Sequence, residues 1–127
     1  MKALFLFAAL SGMTSVILGA FGAHGLRGRL EERLMNAFET GVTYQMSHSL
    51  AILLVCVLIQ LWGRNWALQY AGLAFTVGIL MFSGSLYLLA LTGMKWLGPV
   101  TPLGGVFFIV GWGLLAWGVW QGAGNAA

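Results

Sequence analysis

The apolar positions of this chain fall into four runs separated by short polar breaks, and each run is long enough for a helix to cross a bilayer. Residues 3–23 carry no charge. As a helix they rise about 30 Å, the thickness of a hydrocarbon core. Further runs occupy about 44–62, 67–91 and 101–120. One break holds Gly63, Arg64 and Asn65, and another, over 92–102, holds Lys95, Pro99 and Pro102. These are residues that end helices where a turn is needed. The pattern predicts an all-α integral membrane protein, a single domain over 1–127 with four transmembrane helices.

The stretch between the first two runs reads differently. Leu30, Leu34, Phe38 and Val42 recur every four residues, with Arg27, Arg29, Glu31, Glu32, Arg33 and Glu39 mostly between them. That is the period of an amphipathic helix, predicted here as a separate interfacial helix over about 26–43, its apolar stripe in the acyl region. Three Arg against three Glu leave it neutral, better suited to packing beneath the bundle than to recruiting anionic lipid.

Composition sharpens this picture. The chain is 60% hydrophobic and 7% charged, whereas a soluble domain spends about 25% of its residues on charge. A soluble enzyme, a disulfide scaffold and a disordered tail are excluded. The net charge of +3 comes from six basic residues scattered over four segments, which make no stripe for phosphates, so no nucleic-acid partner is expected. Cys56 stands alone and forms no intrachain disulfide. Lys2 ahead of an apolar run imitates a signal peptide, but the run exceeds the usual core of about 7–15 residues and is read as a retained helix. The expected partners are the lipid bilayer and a membrane protein or a second copy of the chain. Trp62, Trp66, Tyr70, Trp117 and Trp120 would form an aromatic belt on the face that carries both termini.

Helices in lipid associate through small residues that let backbones approach. Ser11, Ser15, Gly19 and Ala23 follow one another at i, i+4, and Gly104, Gly111 and Gly118 repeat every seven residues, with Gly122 continuing the face. Both series are predicted helix-packing seams.

Polar side chains at membrane depth are costly and are therefore candidates for function. His24 ends the first run, and Glu39, Tyr44, Gln45 and His48 lead into the second. Gln45 and His48 are spaced i, i+3, and Tyr44 and His48 i, i+4. Consecutive helices meeting at one end are expected to bring His24 near His48, with Ser83, Ser85, Tyr87 and Thr101 adding hydroxyls. These five residues, His24, Glu39, Tyr44, Gln45 and His48, are the candidate site for a lipid-like or quinone-like ligand. The simpler reading is an interhelical hydrogen-bond network, each bond worth about 0.6 kcal/mol. No catalytic residue, cofactor or metal site is assigned, because two His and a distant carboxylate make an incomplete ligand set. A metal- or haem-binding redox component is the alternative. A small proton-coupled transporter is a further one, weakened by the lack of Asp or Glu inside any span.

In combination, Gly19-Ala20-Phe21-Gly22-Ala23-His24-Gly25-Leu26, Tyr44-Gln45 with His48, Phe82-Ser83-Gly84-Ser85-Leu86-Tyr87, and Thr101-Pro102-Leu103-Gly104-Gly105 followed by Gly111-Trp112 resemble the YgdD/YwdK family of small bacterial inner-membrane proteins. The eukaryotic transmembrane protein 256 is similar to that family. The resemblance spans the chain and implies a four-span protein of the bacterial inner (plasma) membrane. It implies no activity, since the family's function is unknown. The expectation is a non-enzymatic scaffold or accessory subunit.

Overall fold

The computed structural model describes residues 2–126. Helix α1 (Lys2–Phe21) runs into a wide π turn (Gly22–Leu26), and α2 (Glu32–Trp62) follows. The third span is α3 (Trp66–Gly78), a second π turn (Ile79–Ser83) and α4 (Gly84–Thr92). A 3-10 turn (Lys95–Leu97) leads into α5 (Val100–Ala126). Four helical stretches are long and apolar enough to cross a membrane, and no strand occurs among the described residues.

The turns are built by the residues that break the pattern. Gly63 and Gly93 take φ of 87° and 72° and donate their N–H groups to the Ile59 and Leu89 carbonyls. Side chains rarely tolerate that backbone region, so glycine stands where α2 and α4 stop. Asn65 then caps α3, its Oδ1 accepting from the Ala67 and Leu68 N–H groups at 2.9 and 3.3 Å. Its Nδ2 donates to the Gly118 carbonyl at 3.4 Å, which ties the second loop to the last turns of α5.

α2 and the third span form the centre, with α1 packed chiefly on α2 and α5 chiefly on α3. The apolar stretches of the two central spans are 44% and 39% buried, against 17% and 28% for the first and last. The outer helices therefore present most of the lipid-facing surface. Toward the Arg64 end the interior is dry. Ile52, Val55, Cys56 and Ile59 of α2 meet Leu68, Ala71 and Phe75 of α3 and Leu115 of α5.

The glycine series of α5 lies in this packing. A methyl at Gly111 would sit 2.6 Å from the Phe75 ring and one at Gly118 2.6 Å from Leu68, while one at Gly104 would collide with the backbone of Phe82. In α1, Ser11 and Ser15 are buried and Gly19 is half-buried, but Ala23 is exposed, because the helix has by then widened into its π turn.

The amphipathic stretch is placed differently from the sequence expectation. Residues 32–43 are the first three turns of α2, continuous with the segment expected to begin at 44, and do not stand apart as an interfacial helix over 26–43. No proline interrupts them, and Gly41 is held inside the helix by the Tyr87 ring, 2.8 Å from where its Cβ would be. The periodicity itself holds, with Phe38 buried, Leu34 and Val42 half-buried, and Glu31 and Glu32 exposed. At 31 residues α2 is about 46 Å long, close to the full bilayer thickness with headgroups.

Candidate functional site

The early start of α2 moves its polar residues from the edge of the bundle to its middle. Gln45 and His48 lie 13 and 16 residues into the helix, about 20 and 24 Å from its first turn. Both are buried, and they serve different neighbours.

Gln45 joins three helices. Its Nε2 donates to the Ser11 carbonyl of α1 at 2.8 Å, and its Oε1 accepts from the Tyr87 hydroxyl of α4 at 2.5 Å. Tyr87 is aimed there by its own seat, the ring resting on Gly41 and 5.1 Å from the Phe38 ring. One turn further along α2, Ser49 Oγ lies 2.6 Å from the Gln45 carbonyl and 2.7 Å from Ser11 Oγ. Its single proton goes to the Gln45 carbonyl, which can only accept, and the Ser11 hydroxyl then donates to Ser49 Oγ. Ser83, on the π turn, donates to the Gly41 carbonyl at 2.7 Å, and Ser85 pairs with Thr101 of α5.

His48 faces α5. Trp112 donates its indole N–H to His48 Nε2 at 3.0 Å, so that nitrogen is unprotonated. The neutral ring then carries its proton on Nδ1 and gives it to the Tyr44 carbonyl at 2.8 Å. The imidazole stacks on Phe108, ring centroids 3.7 Å apart and 13° from parallel, with Phe75 at 5.5 Å. Both nitrogens are engaged inside an aromatic box. Among the described residues, no buried side-chain nitrogen or oxygen lacks a hydrogen-bond partner.

The structure divides the five candidates. Gln45, His48 and Tyr44 come together, Tyr44 through its carbonyl and a ring stacked 5.8 Å from His48. His24 does not join them. It is exposed on the π turn after α1, 13 residues beyond Ser11 and so about 20 Å along the axis from the cluster. Glu39 is exposed as well and pairs with Arg27 at 2.9 Å. Among the described residues no three His, Cys, Asp or Glu side chains converge as metal ligands, and His24 and His48 are too far apart to hold the two faces of one haem.

The partners Phe108 and Ser49 were not singled out from sequence, and Trp112 was named only within the family motif. Trp112 did carry a signal. An indole in the middle of an apolar run needs an acceptor for its N–H, and His48 is the one within reach.

Beside the cluster, a cleft of about 390 Å³ opens between α1 and the third span, bordered by Leu10, Thr14, Gln45, Leu80, Ser83 and Tyr87.

Comparison with known proteins agrees with this architecture. Residues 18–105 match the family described as a protein of unknown function (DUF423). A UPF0382 membrane protein of Staphylococcus aureus is 45% identical over 91% of this chain and 93% of its own. Another from Staphylococcus epidermidis is 46% identical over 88% and 90%. The UPF0382 membrane protein YwdK of Bacillus subtilis is 41% identical over 88% and 91%. No solved structure matches the chain. With four apolar spans, a family model over most of the chain and membrane-protein relatives matched along almost their whole length, the chain belongs to the DUF423 family of membrane proteins of unknown function.

Proposed function

We propose that this protein is a non-enzymatic scaffold or accessory subunit of the bacterial inner membrane, in which the Gln45 and His48 cluster fixes the rotation of all four spans against one another. The observation that carries this reading is saturation. Both imidazole nitrogens of His48 and both ends of the Gln45 amide are engaged by Trp112, Tyr44, Tyr87 and Ser11. A catalytic or metal-binding group needs a lone pair or proton directed at a substrate, and here His48 Nε2 and the Gln45 amide are directed at neighbouring helices and His48 Nδ1 at its own. Any lipid-like ligand of the cluster would lie in the adjoining cleft, against Gln45 and Tyr87.

Freshly purified protein tests this reading against the redox alternative. The scaffold reading expects no Soret band and substoichiometric metal by elemental analysis. A stoichiometric metal or haem that is lost in His48→Gln while the fold persists would contradict it.

A further inference from the structure

A second cleft, of about 820 Å³, lies at the other end of the bundle between the start of α1, the end of α2 and α3. Its lining is largely apolar, with Leu4 and Phe7 of α1, Ile59 of α2 and Leu73 of α3, and it includes Arg64 together with the amides of Gln60 and Gln69. We propose that this cleft is a binding site for an anionic phospholipid of the surrounding bilayer, the headgroup phosphate on Arg64 and one acyl chain along Phe7 and Leu73.

Charge complementarity favours this occupant. The only acidic side chains, Glu31, Glu32 and Glu39, lie at the start of α2, where Glu39 and Glu31 already face Arg27 and Arg33. Glu39 is 23 residues from the end of that helix, about 35 Å from the Arg64 end. No carboxylate side chain can therefore neutralise Arg64, while the flanking amides add neutral donors that suit a phosphate. The volume is that of a cleft that takes a small-molecule ligand, apolar with a few polar groups. Basic pockets between transmembrane helices are a recurrent form of headgroup recognition. Phe7 also walls the smaller cleft beside Gln45, so a long chain would be directed toward the cluster. The proposal stands apart from the scaffold reading, since it uses none of the cluster's hydrogen bonds.

The test is native mass spectrometry of the delipidated full-length protein titrated with phosphatidylglycerol and phosphatidylcholine of identical chains. Phosphatidylglycerol should be retained about fivefold better, the equivalent of roughly 1 kcal/mol for one cation at the surface. Arg64→Gln, at an exposed loop position, should bring the two lipids to parity. Lys2→Gln removes a cation at the same end that does not line the cleft and should leave the preference intact. Ala3→Trp, at an exposed position on the rim, should lower retention of both lipids. Equal retention by the wild type, an equal loss in Lys2→Gln, or unchanged retention in Ala3→Trp would overturn the proposal. So would a dimer that forms through the cleft and excludes lipid.

Discussion

Two regions of α2 hold their neighbours by different means. Around Ile52, Val55, Cys56 and Ile59 the helix meets α3 and α5 through apolar contact alone. Around Gln45, His48 and Ser49 it meets α1, α4 and α5 through hydrogen bonds. Lipid tails are as apolar as the dry region, so dispersion and shape are all that favour packing there. Such contacts fix distance well and rotation weakly. The polar region does the reverse, because a helix turned by one residue leaves the Gln45 amide facing hydrocarbon without its partners.

The largest effects should come from closing the close approaches in either region. Gly104→Val is expected to cost about 3 kcal/mol, at the top of the range for overpacking, because its side chain would meet the Phe82 backbone, which cannot rotate away. Gly118→Val should cost less, about 2 kcal/mol, since the Leu68 side chain can give way in part. Reversible unfolding in bicelles measures both. Equal or reversed costs would mean that the backbone contact at Gly104 is no tighter a constraint than the side-chain contact at Gly118.

Next comes the amide. Gln45→Leu keeps the volume and orphans the Tyr87 hydroxyl, at an expected cost of about 1–3 kcal/mol. A loss near zero would mean that the network does not constrain the bundle. The histidines should separate more finely. His48→Gln is expected to lose about 1 kcal/mol and to shift Trp112 fluorescence, because the indole exchanges its imidazole acceptor for an amide oxygen of different reach. His24→Gln, at an exposed turn, should stay within about 0.5 kcal/mol, as surface changes do. A comparable loss from both would contradict their separation. Glu39→Gln should likewise stay within about 0.5 kcal/mol, because its ion pair with Arg27 is exposed at both ends.

The number of spans and the glycine face of α5 could be read from apolar runs and spacing, since these depend on local pattern. The start of α2 could not. Residues 32–43 have the same period whether they form a separate helix or extend the next one. Glu31, where the helix begins, makes no side-chain capping bond. The pairing of His24 with His48 failed for the same reason, because it assumed that both lie at a helix end. The choice of Trp112 as the partner of His48 depends on how α5 is rotated, and Gly104, Gly111 and Gly118 set that rotation only once the helices have met.

The central claim is that the polar side chains act on one another as a lock between helices, and a double-mutant cycle on Gln45 and Tyr87 tests it most directly. Unfolding free energies of wild type, Gln45→Leu, Tyr87→Phe and the double variant should give a coupling of roughly 0.6–1.7 kcal/mol, the range of interhelical hydrogen bonds in membranes. The double variant should then be scarcely less stable than Gln45→Leu alone. Costs that add to within about 0.3 kcal/mol would show that the two groups do not interact, and the lock would not exist.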